Sequence, residues 1–132
     1  MQVPPNCDLT LGLVCLDKSE PGRTVWQMTA DERFVNPAGI VQGGFISALC
    51  DSAMGASAVT YASRGGARKV HSANAEMKTS FLRPVDSGSV LTCVATVLSG
   101  GERVVFCEAT VEEGQGRLVA KASSTYVITP RG

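Results

Sequence analysis

One carboxylate stands alone in a long apolar run. From Gly43 to Ala62 the only charged side chain is Asp51. An unpaired carboxylate away from water is costly, and aspartate is a mediocre helix former. Buried acids with perturbed environments concentrate at functional sites, so Asp51 is the first candidate for acid–base or nucleophilic work. The alternative is that Asp51 points into a solvated groove or pairs with a basic residue such as Lys78. Eight residues earlier, Gln42-Gly43-Gly44 opens the same run with no Ser, Thr, Asp or Asn at the junction. The first N–H groups of a helix starting there need another partner. Glycines leave these donors sterically open, so they can hold an anion or polarise a carbonyl, as an oxyanion hole does. An ordinary glycine turn before a helix has the same sequence.

The spacing constrains any joint action. At about 1.5 Å rise per residue, Gly43 and Asp51 lie roughly 12 Å apart along a helix axis. Reacting atoms must come within about 3–3.5 Å of one another. Asp51 therefore cannot act on a carbonyl held at the start of its own helix. If both residues serve one substrate, they come from two subunits. Antiparallel helices across a two-fold axis would bring each Asp51 to the other copy's Gly43, giving a composite site twice per dimer.

Other chemistries are poorly supplied. His71 is the only histidine, and it sits at a strand start after Arg68-Lys69. No glycine-flanked serine elbow accompanies it, so it reads as a loop or strand-edge residue. The five cysteines (Cys7, Cys15, Cys50, Cys93, Cys107) have no metal-ligand spacing, and all but Cys7 sit in apolar runs. They read as free thiols used as small hydrophobes, which fits a reducing, cytoplasmic setting. No metal or cofactor is expected. Twelve basic and twelve acidic residues balance. With no basic run and few aromatics, neither nucleic acid nor an anionic membrane is an expected partner. No apolar stretch reaches spanning length, and Met1–Asp8 lacks the basic start of a secretory signal.

The elements that must position Asp51 follow from periodicity. The 132 residues read as one domain over 1–132. Leu9–Asp17 and Thr24–Asp31 read as strands around a Pro21-Gly22 turn. Phe34–Gln42 reads as loop, broken by Asn36-Pro37-Ala38-Gly39. Phe45 to about Ala62 lacks proline and is too long for a strand, so it is expected to be helical. Ser63-Arg64-Gly65-Gly66 would end it, with a cation in the last turn and glycine caps. Being apolar or small on nearly every face, this helix should be surrounded by protein. Its small residues would let a sheet approach closely. Ala73, Ala75, Met77, Thr79 and Phe81 then alternate with Asn74, Glu76, Lys78 and Ser80. Val90–Leu98, Arg103–Glu112 and Leu118–Ile128 follow, joined by glycine turns into an antiparallel meander. The fold class is α+β, a long helix on an antiparallel sheet. Such a sheet leaves edges, so a dimer is expected.

Asn36 to Gly55 resembles the signature of the hotdog-fold acyl-CoA thioesterases of the phenylacetate-pathway, PaaI-like type. Their pattern runs Asn, two residues, Gly, two residues, His-Gly-Gly, then a helix carrying Asp. Phe81-Leu82-Arg83-Pro84 is similar to the end of their next strand. The resemblance implies a hotdog fold, a long central helix wrapped by a curved antiparallel sheet. It implies hydrolysis of an aromatic or short- to medium-chain acyl-CoA, or a carrier-protein thioester, by a homodimer or a dimer of dimers. It implies that Asp51 is general base or nucleophile, that the Gly43 amide polarises the thioester carbonyl, and that Asn36 positions the carbonyl or the water. Position 42 would orient the thioester. This chain departs there, with Gln42 in place of the family's usual His; Gln hydrogen-bonds but does not titrate. Gly44, Asn74 and Arg83 are expected to bind substrate. Asn74 falls where the family often places a small polar residue facing the catalytic water, while simple alternation would put it on the outer face. Arg64, Arg68, Lys69 and Arg83 could meet coenzyme A phosphates or be plain surface charge. Two other readings stand beside hydrolysis: a non-catalytic acyl-CoA-binding module, and a hotdog dehydratase, which would need a histidine in the motif.

Overall fold

The computed structural model describes residues 6–131. In chain order these form a short helix α1 (Cys7–Leu11), strands β1 (Val14–Glu20) and β2 (Arg23–Ala30), and a single 3-10 turn (Glu32–Phe34). The long helix α2 (Gly43–Ala62) follows. Strands β3 (Val70–Phe81), β4 (Ser89–Gly100), β5 (Val104–Glu113) and β6 (Arg117–Pro130) complete the chain. One sheet in the order β1-β2-β4-β5-β6-β3, antiparallel throughout, packs against α2. This is the hotdog architecture. No helix among the described residues is long and apolar enough to cross a membrane.

Small residues on both partners let the helix and sheet approach closely. Ala95, Ala109 and Ala122 are cross-strand neighbours on β4, β5 and β6, and all are buried. Thr24 continues the row on β2 and Thr79 on β3. The fit is close enough for hydrogen bonds from side chain to main chain. Thr24 Oγ1 donates to the Ala53 carbonyl at 2.8 Å, and Ser57 Oγ lies 3.1 Å from the Ala95 carbonyl. Met28, Leu49, Met54 and Leu91 fill the space beside this row with no exposed surface. Leu49→Ala should destabilise the fold by about 2–5 kcal/mol, through lost burial and the cavity left behind. The midpoint of urea denaturation, at unchanged m-value, measures this.

Four details differ from the sequence reading. Leu9–Leu11 lie in α1 rather than in a strand. Asn6 caps that helix by accepting from the Leu9 N–H at 3.1 Å, and Gly12 stops it at φ 69°. The cation expected in the last turn of α2 falls outside it: Ser63 is the C-cap, and Arg64 follows with φ 54°. The helix is buried on one face only, by Ile46, Leu49, Cys50, Ala53, Met54, Ser57, Ala58 and Ala62. Its other side is only partly covered in the single chain, with Gly44, Asp51 and Tyr61 exposed.

The fourth difference matters most. β3 does not alternate throughout, because its pairing with β6 slips between Asn74 and Glu76, leaving Ala75 as an extra residue. A bulge of one residue re-aims the side chains that follow it. Before the bulge, Ser72 and Asn74 face α2; Ser72 Oγ contacts the Gly55 carbonyl at 3.4 Å. After it, Met77 packs on the core, Thr79 accepts from Ser47 Oγ at 3.0 Å, and Phe81 covers Gly43. Asn74 therefore shares the helix side with Met77, not the outer face with Lys78.

Candidate active site

Asp51 lies on the open side of α2, in a groove of about 520 Å³ between the helix and the two ends of the sheet. Asn74 Nδ2 donates to its Oδ1 at 2.9 Å, and the Tyr126 hydroxyl lies 2.7 Å from the same oxygen. Tyr126 Oη is also 3.0 Å from the Asp51 main-chain carbonyl. Asn74 and Tyr126 are cross-strand partners on β3 and β6, so the bulge beside Asn74 brings both donors to one carboxylate oxygen. Asn74 Nδ2 is within 3.2 Å of Ser124 Oγ as well. Among the described residues no ion pair reaches Asp51. The pairing with Lys78 considered from the sequence does not form, because Lys78 lies beyond the bulge with Glu76, on the opposite side of the sheet from α2. The carboxylate is thus held by neutral donors and open to solvent, which suits a group that must reach a substrate.

Burial first, and the Asp51 carboxylate second, push the Tyr126 phenol well above its ordinary range. The hydroxyl therefore stays protonated and acts as donor. Deeper in the core, Cys50, Cys93 and Cys107 are buried free thiols, with Cys107 pushed up to about 12 by burial. They are inert packing groups.

At the other end of the run, α2 begins at Gly43. Gln42 is the N-cap residue but makes no side-chain capping bond. The Phe45 N–H turns back to the Gln42 carbonyl at 3.1 Å, whereas the Gly43 and Gly44 N–H groups find no acceptor among the described residues. Packing here is tight: a β-carbon at Gly43 would sit 2.8 Å from the tip of the Phe81 ring, so Phe81 would have to move aside. The preceding loop is held firmly. Val41 N–H bonds to the Val85 carbonyl and Gln42 N–H to the Phe34 carbonyl, each at 2.8 Å. Asn36 shapes the same loop, its Oδ1 accepting from Ala38 N–H at 2.9 Å and Ile40 N–H at 3.3 Å. Such turns are the usual task of a loop asparagine. Only the Asn36 amide Nδ2 is left for a substrate.

Within one chain the candidate residues divide among three hollows. Asn36, Gly43 and Arg83 share one, walled by Ile46, Phe81 and Val85. Asp51 and Asn74 share the groove with Tyr126. Gln42 and Gly44 open onto a third, beside Phe45 and Ala48. The basic residues after the helix lie elsewhere. Arg64 pairs with Glu102 at 3.2 Å, and Arg68 Nε donates to the Ala62 carbonyl at 2.8 Å. His71 is exposed on edge strand β3, as read from the sequence.

Sequence reasoning missed Tyr126 and Ser124. A signal for them exists in β6, where Ala120, Ala122, Ser124 and Tyr126 alternate as buried positions. A tyrosine closing a row of small residues has room for its ring and needs a partner for its hydroxyl.

A model of the thioesterase superfamily matches residues 38–120. Human acyl-coenzyme A thioesterase 13 is 24% identical over 121 residues, 91% of this chain and 83% of that protein. Among solved structures, the PaaI protein from the phenylacetic acid degradation operon of E. coli superposes with a TM-score of 0.82 at 21% identity. That match covers 96% of this chain and 84% of the other. A hypothetical thioesterase protein from Streptococcus pneumoniae TIGR4, solved with coenzyme A, gives 0.79 at 19% identity over 90% of both chains. At such identities these two structures speak for the fold.

Proposed function

Since this chain belongs to the thioesterase superfamily, we propose that it hydrolyses an acyl-CoA to the free acid and coenzyme A, with Asp51 as the reacting carboxylate. The observation that carries this reading is an exposed Asp51 held through one oxygen by neutral donors, on a helix whose Gly43 amide has no acceptor among the described residues. The likeness to human acyl-coenzyme A thioesterase 13 supports the coenzyme A ester over other thioesters.

The two groups lie roughly 12 Å apart along α2, from its rise per residue. A substrate must therefore meet Asp51 of one protomer and Gly43 of another. In the proposed dimer the antiparallel helices place the hollow of Asn36, Gly43 and Arg83 over the groove of Asp51. The Gly43 N–H polarises the thioester carbonyl. Asp51 takes a proton from water as the water oxygen bonds to the carbonyl carbon, or attacks that carbon directly. The resulting oxyanion is held by the amide. The C–S bond then breaks, and the thiolate leaves, to be protonated. When Asp51 acts as base, its captured proton is the one returned. When Asp51 attacks, water cleaves the acyl–Asp51 anhydride. Asn36 positions carbonyl or water through its free amide, Gln42 and Gly44 flank the thioester, and Arg83 faces the coenzyme A end. A dimer of dimers would contain four such sites.

A thiol-release assay over a panel of aromatic and short- to medium-chain acyl-CoAs tests the reading. Turnover of at least one series is expected, with kcat/KM of about 10⁴ M⁻¹s⁻¹ or more for the best substrate. Tight acyl-CoA binding with no thiol released from any member would instead identify a binding module.

A further inference from the structure

We propose that Tyr126 is a positioning residue for the reaction: its hydroxyl, with the Asn74 amide, holds Oδ1 of Asp51 and leaves Oδ2 as the reacting oxygen. This rests on Asp51 being the reacting carboxylate.

The geometry separates Tyr126 from an ordinary core tyrosine. The residue is 2% exposed, and a buried hydroxyl needs a partner. The Asp51 main-chain carbonyl at 3.0 Å would satisfy it. Yet the hydroxyl lies closer to Oδ1, at 2.7 Å, a length expected of a hydrogen bond to an ionised acceptor. Asn74 reaches the same oxygen from the neighbouring strand at 2.9 Å, so two donors converge there. Asn74 Nδ2 also lies 3.4 Å from the Tyr126 oxygen, tying the two donors together. Oδ2 accepts from no group among the described residues.

The surroundings leave this task to neutral groups. Besides Asp51, the charged side chains lining the groove are Asp8 of α1 and Lys18 of β1. Asp8 is engaged by Ser52 Oγ at 2.7 Å, and Lys18 forms no ion pair with Asp51. Beneath Tyr126, the Cys107 thiol of β5 is kept neutral by burial. Because the phenol is pushed up by burial and by the carboxylate, it remains a donor while Asp51 is ionised. A carboxylate clamped through one oxygen cannot rotate about its χ2, so the other oxygen is pre-aimed. Such preorganisation acts on the chemical step rather than on binding.

The test compares Tyr126→Phe, Asp51→Ala and the double variant in steady-state thiol release. Tyr126→Phe should lower kcat about ten- to hundredfold, the usual worth of a hydrogen bond to a charged group. KM should stay within about twofold, and the thermal midpoint should change by only a few degrees. In the Asp51→Ala background the added change should cost nothing further, since the group it positions is gone. Wild-type kcat in Tyr126→Phe would overturn the proposal. A fall in midpoint of more than about 10 °C would also overturn it, by making the hydroxyl a structural group. Activity surviving in Asp51→Ala alone is a different result: it removes the assignment of Asp51 itself.

Discussion

Replacing Asp51 with alanine is expected to lower kcat at least about a thousandfold, within the range that a positioned acid–base group contributes, while the protein stays folded. The second half of that expectation comes from the hydrogen bonds. Asp51 is exposed, so its truncation leaves no core cavity. The donors that lose it keep other partners. Tyr126 retains the Asp51 main-chain carbonyl at 3.0 Å, and Asn74 retains Ser124 Oγ at 3.2 Å. Circular dichroism and thermal midpoint should therefore match the parent within a few degrees while thiol release falls to a small residual rate. Hydrolysis at near the parent rate would remove Asp51 from the mechanism.

The second large effect is expected from Gly43→Pro. Proline lacks the N–H proposed to hold the oxyanion, yet it is well suited to the first position of a helix. The residue before it must be extended, and Gln42 already is, at φ −64° and ψ 132°. The ring must push Phe81 aside, because a β-carbon at this position meets that side chain. Phe81 is half-exposed, at 52%, and can swing outward. Removing one oxyanion donor costs about 10²–10³ in kcat. Circular dichroism retaining the helical signal would show that the loss is not unfolding. A milder variant, Gly43→Ala, displaces Phe81 but keeps the N–H, so it separates the steric effect from the electrostatic one.

The two inactive variants together test whether the site is shared. In a mixed dimer of Asp51→Ala and Gly43→Pro chains, one site carries both lesions and the other carries neither. Random reassociation makes half the dimers mixed, each with one intact site of two, so about a quarter of parental activity should return. If both residues acted within one chain, no combination would recover activity.

Much of this was legible in the chain itself. The long helix, the meander and their order follow from hydrophobic periodicity and glycine turns, which are local properties. Asp51 and Gly43 stood out because one charge in an apolar helix and an uncapped helix start are local anomalies. What lay beyond the sequence depends on registration between distant strands. Ala73-Asn74-Ala75-Glu76 is made of residues that strands disfavour, but composition does not say whether or where a strand carries an extra residue. The slip exists only relative to Tyr126 and Thr125 on β6, and it alone turns Asn74 toward the helix.

The sequence by itself therefore determined which residues are the candidates for chemistry: a carboxylate, an open amide and the helix that separates them. Tertiary structure decided how the carboxylate is held, because Tyr126 reaches it across 75 residues of chain. Local patterning sets side-chain periodicity along each element. Cross-strand register, fixed by the packing of whole elements, sets which side chains meet.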